Sequence, residues 1–386
     1  MKRHGDGFIY LFAVNFLITF GFAAGDSLFS IYFQEKGAGG MILGLAFTLY
    51  SLSKIGTGPL IGKLADRFRA DFIMFFALAV YALIAVSYVF VQDRNLIVVM
   101  RILQGAACGM FRPVMVYLLN GIGENTDGKL FGRFDLAFYA ALATAPLAGG
   151  LIAEHWGMSG VYILVSFCCL TALFLFFLFS GLHSSVPKFC FKQTPQKSGR
   201  RHSVLLAYIF CRGWGIASAA AFLPVYLSGI DASVSQTGAI LCAASAVTAF
   251  MLPFTGSMAD SFRKETLVIV GGAASSFILM LFPLVPSYQG LFVLSLAGGF
   301  FSAVSQPACS VLLISRTERA VLGVTLGRFN ASMNAGFAAG PLVSSLCYTL
   351  WGVSSVFLVS GLLGAASSAL FCLGGLGEDC RYSSVE

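Results

Sequence analysis

Long apolar runs separated by short polar breaks fill this chain, and most runs are about 20 residues long, the length at which an α-helix crosses a hydrocarbon core. The pattern predicts twelve membrane-spanning helices, over roughly residues 8–33, 41–62, 72–91, 96–119, 133–153, 158–182, 204–228, 236–257, 266–286, 289–314, 328–350 and 353–376. Glycines and prolines interrupt many of the runs. The one long polar break carries Lys188, Lys192, Lys197, Arg200, Arg201 and two prolines. It divides the runs six and six, which predicts an N-terminal bundle over 1–182, a cytoplasmic linker over 183–203, and a C-terminal bundle with a short tail over 204–386.

The second half nearly repeats the first. An offset of 194 carries Gly62, Ala65, Asp66, Phe68 and Arg69 onto Gly256, Ala259, Asp260, Phe262 and Arg263, and also Tyr32 onto Tyr226, Gly105 onto Gly299 and Pro113 onto Pro307. With one residue inserted, Gly132, Arg133 and Phe134 fall on Gly327, Arg328 and Phe329, Pro146 on Pro341, and Trp156 with Gly157 on Trp351 with Gly352. A shift sustained over this length means two copies of one structural unit. Each copy has an even number of spans, so both run in the same direction, as parallel repeats related by an axis along the membrane normal.

Composition narrows the class further. With 58% hydrophobic and 11% charged residues and a mean hydropathy of +0.85, the chain has too little polar surface for a soluble protein of its length. The net charge of +7 is topological and points to no nucleic acid. Only Lys36 and Arg94 fall on the outer side and Lys54, Arg101, Arg112 and Arg212 within spans, while every other Lys and Arg falls on one face. That asymmetry puts both termini in the cytoplasm of a cell (inner or plasma) membrane. The first run lacks a cleavage site and is expected to remain as a span. Most of the ten cysteines lie in spans and none in an outer loop, which reads as packing; no metal-ligand spacing, nucleotide loop or nucleophile elbow is present, so no cofactor, metal or enzymatic activity is expected.

Gly62, Leu64, Ala65, Asp66 and Arg67 follow the second span and resemble the signature loop of the major facilitator superfamily, G-x-L-A-D-R-x-G-R-K. Arg69, Ala70 and Asp71 depart from its second half. The resemblance implies a cytoplasmic latch: Gly62, Asp66, Arg67 and Arg69 against Arg328 at the start of the eleventh span, and Gly256, Asp260 and Arg263 against Arg133 at the start of the fifth. Arg101, Gln104 and Gly105 are similar to the superfamily's R-x-x-Q-G motif, which in proton-coupled members sets an arginine where it influences a carboxylate. Pro146, Gly149 and Gly150 resemble the G-P-x-x-G-G motif of drug–proton antiporters, with Ala145 in place of the first glycine. Gly336, Gly340 and Pro341 echo it, and both sets are expected to bend their helices.

Ionisable residues inside a span are costly and face a cavity or a partner. Asp26 is the one deep carboxylate and the first proton-site candidate; Asp135, near the cytoplasmic start of span 5, is the second, unless it only neutralises Arg133. Lys54, Arg112 and Arg212, together with Tyr139, Trp214, Phe222 and Asn334, are candidates to line a substrate cavity. The expectation is an all-α membrane protein of two pseudo-symmetric six-helix bundles in the major facilitator fold. It would act as a monomer in the lipid bilayer, with protons and a small-molecule substrate, most plainly as a proton-coupled exporter of a small organic compound by alternating access. A symporter importing an organic anion is the first alternative, and a non-translocating receptor or scaffold the second.

Overall fold

The computed structural model describes residues 2–67, 69–122, 128–182, 200–315 and 322–376. These are almost wholly α-helical, with no strand among them. The helices are α1 (Lys2–Ser27), α2 (Phe29–Glu35), α3 (Met41–Arg67), α4 (Ala70–Phe90), α5 (Arg94–Ile122), α6 (Gly128–Leu182), α7 (Arg200–Ser228), α8 (Val234–Ser261), α9 (Lys264–Leu281), α10 (Tyr288–Ser315), α11 (Leu322–Trp351) and α12 (Val353–Leu376). A helix satisfies its backbone groups internally, which is the condition for lying in lipid.

Three of the sequence spans map onto this set in unexpected ways. The first is broken at Leu28, where φ −109° and ψ 3° leave helical values, so α2 continues α1 at a changed angle. The fifth and sixth join as the single run α6, broken at Gly157, whose φ of 69° suits glycine. With those breaks counted, the twelve expected spans correspond to α1 with α2, α3, α4, α5, the two limbs of α6, and α7 to α12. Among the described residues, nine stretches are long and apolar enough to cross a membrane by themselves. One of these, Phe134–Leu178, has 45 residues, enough for two spans.

The chain divides into two compact units. The first holds Met1–Lys192 with Asp231–Cys242, and the second Gln193–Ile230 with Ala243–Glu386. Within the first, α1 packs against both limbs of α6: a Cβ on Gly149 would stand 2.9 Å from the Ala24 carbonyl oxygen, and one on Gly21 3.2 Å from Cys168 Cβ. The opening turns of α8 belong to this unit too. Gly238 lies on the Pro146 carbonyl, and Cys242 Sγ donates to the Ala143 carbonyl at 2.8 Å. In the second unit α7 packs against α11, where Gly340 would bring a Cβ to 2.8 Å from the Trp214 carbonyl oxygen. In lipid, small residues that let helices approach closely supply much of the association energy.

The internal repeat recurs as equivalent contacts, one in each unit. Tyr32 donates its hydroxyl to the Tyr88 carbonyl at 2.8 Å, and Tyr226 donates to the Phe282 carbonyl at 3.2 Å. Gly105 lies on the Tyr50 carbonyl as Gly299 lies on that of Ala244. Gly157 and Gly352 both turn the chain with positive φ, as do Gly37 and Asp231. A buried hydroxyl bond contributes about 1 kcal/mol net. Tyr32→Phe and Tyr226→Phe are therefore each expected to lower stability by about that amount, read as a fall in unfolding temperature in detergent.

Candidate functional site

In α5, Arg101, Gln104, Gly105 and Cys108 follow the spacing of one helical face. Gly105 lets that face sit directly on the α3 backbone at Tyr50, and this closeness brings the α3 rings of Phe47 and Tyr50 over the arginine. Arg101 is 1% exposed, and its guanidinium stacks on Phe29 at 3.5 Å from the ring centroid. Asp26, in the last turn of α1, meets it with a carboxylate oxygen 2.6 Å from Nη1. Asp26 keeps a side-chain exposure of 24%, so one end of the pair is open while the other is sealed.

A polar network extends from the pair. Arg101 Nη1 donates to Gln104 Oε1 at 3.0 Å, and Tyr88 donates its hydroxyl to the same oxygen at 3.1 Å. Gln104 Nε2 donates to the Tyr81 hydroxyl at 3.1 Å. A residual cavity of about 10 Å³ is lined by Asp26, Arg101, Gln104, Tyr81, Tyr88 and Tyr162 among others. Arg101 Nε and Nη2 have no hydrogen-bond partner among the described residues. The hydrogen-bonding and ion-pair partners of this arginine are side chains, and its guanidinium keeps two donor nitrogens unused.

The sequence singled out Asp26 and Arg101 separately; the structure brings them together. Gln104 came with the motif, but Phe29, Tyr81 and Tyr88 did not stand out from the many aromatics of the chain. Asp135 is half-buried near the start of α6, one residue from Phe134, whose carbonyl accepts from Asn15 Nδ2 at 3.1 Å. Lys54 and Tyr139 are half-buried, Tyr139 edge-on to Phe138. Asn334 donates to the Asn330 carbonyl at 2.8 Å on its own helix.

Phe222 is fully buried against Tyr348 and Trp214 is 8% exposed beside Phe210, so both rings pack within the second unit. Arg212 turns towards Ser302 and Ser305 of α10. Around Pro146, Gly149, Gly150, Gly336, Gly340 and Pro341 the helices stay α-helical, and the glycines serve close approach.

Of the latch, Gly62, Asp66, Arg67, Arg133, Gly256 and Asp260 lie outside the residues whose side chains are described, as does Arg112. Arg69 is described, and it makes a two-pronged pair with Asp71: Nε to Oδ1 at 3.1 Å and Nη2 to Oδ2 at 2.9 Å. Asp71 stands in the first turn of α4, where the helix dipole favours an anion. The departure from the family pattern at this position thus gives Arg69 a local partner. Arg263 caps α9 with Glu265 in its first turn, at the repeat-related positions, and Arg328 is half-buried near the start of α11.

The chain matches the Major Facilitator Superfamily over residues 11–231 and 205–376. It is 23% identical over 329 residues to a multi-drug resistance efflux pump PmrA homolog of Lactococcus lactis, covering 82% of this chain and 81% of that one. It is 23% identical over 346 residues to the multidrug resistance protein MdtG of Klebsiella pneumoniae, covering 86% and 84%. Among solved structures it resembles the nucleoside transporter NupG, with a TM-score of 0.78 at 13% identity over 97% of this chain and 100% of the other. A bacterial homolog of the human lysosomal transporter Spinster, inward-facing and occupied, superposes with a TM-score of 0.80 at 12% identity over 95% and 96%. A family match across both repeats, on a helical fold with apolar spans, shows that this chain belongs to the major facilitator superfamily and is a multi-pass membrane transporter, not an enzyme.

Proposed function

We propose that the chain exports a small organic compound across the cytoplasmic membrane in exchange for protons, by alternating access, with Asp26 as the proton site and Arg101 as the group that senses its charge. The observation that carries this reading is the ion pair itself: a guanidinium 1% exposed, 2.6 Å from a carboxylate that is part open. An ionised arginine costs at least a few kcal/mol in hydrocarbon without a partner. Protonating Asp26 removes the counter-charge, and the guanidinium must then move to water or to another acceptor. Its two unpartnered nitrogens lower the barrier to that exchange. A conformational equilibrium responds to a ligand only through differential affinity, and here the proton has it, because one state holds the pair closed and the other does not.

Relatives named for drug efflux support the outward direction. Both termini lie in the cytoplasm, residues 183–203 link the bundles there, and the segments at Asp66 and Asp260, which end α3 and α8 rather than forming the loop the sequence pattern implied, latch the cytoplasmic face. The monomer contains its whole pathway. In proteoliposomes under an imposed pH gradient, Asp26→Asn is expected to abolish pH-driven accumulation of a fluorescent organic dye while leaving downhill dye exchange. Unchanged pH-driven accumulation would remove Asp26 from the proton's path.

A further inference from the structure

The second unit holds a cavity that the proton-coupled reading leaves unused. It lies between α7, α9, α10 and α12, has a volume of about 70 Å³, and carries Arg212 on its wall with a set of serines. Arg212 donates Nη1 to the Ser305 hydroxyl, and Nη2 to the Ser302 carbonyl at 3.0 Å and hydroxyl at 2.9 Å. All of these acceptors are neutral. Among the described residues no carboxylate pairs with the part-buried Arg212, whereas the buried Arg101 has Asp26. A partly buried guanidinium bonded only to hydroxyls and a carbonyl keeps its charge uncompensated in a medium of low dielectric.

Of the serines on the cavity wall, Ser302 accepts from Arg212, and the others divide into two kinds. Ser275 and Ser276 donate to the carbonyls of Gly271 and Gly272, and Ser367 and Ser368 donate to that of Gly364, so their protons are committed to their own helices. Ser360 is 2% exposed, lines the cavity, and has no hydrogen-bond partner for its hydroxyl among the described residues. A buried hydroxyl without a partner costs about 1–3 kcal/mol. The cavity thus offers a fixed positive charge and a buried, uncommitted O–H donor. Its volume suits an ion of one or a few atoms and excludes a drug-sized molecule.

We propose that this cavity binds a small monovalent anion of the chloride class, held by the Arg212 guanidinium and the Ser360 hydroxyl, and that the anion neutralises this part-buried cation of the C-terminal bundle. A carboxylate fixed on the chain would do the same work permanently, as Asp26 does for Arg101 in the other half. A bound anion does it reversibly, so the stability of the second bundle depends on salt identity. The inference needs the fold alone and stands or falls separately from the proton reading.

The test uses the purified full chain in detergent, with sodium chloride exchanged for sodium gluconate at constant ionic strength while thermal unfolding is followed. Wild type is expected to show a saturable rise of about 2 °C with chloride. Ser360→Ala is expected to raise the chloride concentration giving half the rise by about fivefold, and Arg212→Gln to remove the chloride dependence. Because Arg212→Gln itself alters a packed cation, Ser360→Ala carries the decision if that variant does not fold. Equal unfolding temperatures in the two salts would overturn the proposal. So would a chloride-dependent rise that Ser360→Ala leaves at wild-type affinity.

Discussion

Replacing Arg101 with glutamine is expected to destabilise the protein by about 3 kcal/mol and to abolish pH-driven transport. The guanidinium is 1% exposed and Asp26 is 24% exposed, so removing the cation strands a carboxylate that water reaches only in part. That partial access holds the cost near the lower end of the range for a broken buried pair. Lysine is no substitute: a point charge on a flexible stem cannot stack on Phe29, pair with Asp26 and bond Gln104 together. Arg101→Lys should keep most of the stability and lose most of the coupling. The decisive variant is the double, Asp26→Asn with Arg101→Gln. With neither charge left, it should recover more than half of the stability lost in Arg101→Gln and remain uncoupled from the pH gradient. A double variant as unstable as the sum of the two singles would mean that Asp26 and Arg101 do not act as a unit. Thermal unfolding in detergent and dye accumulation in proteoliposomes read the two quantities separately.

The spans were legible because lipid imposes one simple rule on length and polarity. The duplicated units were legible from the numbering alone, since Tyr32 and Tyr226, or Gly105 and Gly299, keep one offset. Asp26 and Arg101 were legible one at a time, because an ionisable group inside an apolar run is costly. Their pairing was not, since they stand on different helices and the sequence fixes no rotation of α1 about its axis. A signal was nonetheless available: counted from Glu35 and Arg94, the ends of α2 and α5, the two lie at similar depths of about 10–13 Å.

Arg212 shows the complementary difficulty. Small and apolar residues surround it on every side of α7, so nothing in the pattern separates a cavity face from the face that meets α10. Asp71 is a third case. In the sequence it was one of three departures from a loop pattern, while in the structure it is the carboxylate that holds Arg69.

Gly105→Val and Gly299→Val are each expected to lose most of the folded protein, and to lose it to a similar degree. In both, a Cβ lands against a backbone carbonyl, that of Tyr50 in one unit and Ala244 in the other, and backbone cannot rotate aside as a side chain can. Overpacking of this kind costs about 1–3 kcal/mol, and more when helix axes must separate. Alanine gains about 1 kcal/mol in helix propensity over glycine, so the alanine variants should be the milder of each pair. Gly56→Ala is the control: it is exposed on α3 with nothing near its Cβ position, and it should be neutral or slightly stabilising. Monodisperse yield by size-exclusion chromatography and unfolding temperature report the comparison.

The equality expected of the two glycines follows from the duplication, because each half uses the same helix contact. The charges do not share it. Asp26 and Arg101 correspond to Ala220 and Ser295, and Arg212 to Ile18, so each half kept the packing and replaced the chemistry. Substitutions at repeat-related glycines should therefore behave as a matched pair, whereas substitutions at Asp26, Arg101 and Arg212 should have no counterpart at the related positions. If Gly105→Val is lethal to folding and Gly299→Val is tolerated, the helix pairs α3 with α5 and α8 with α10 are not equivalent, and the repeat is one of sequence only.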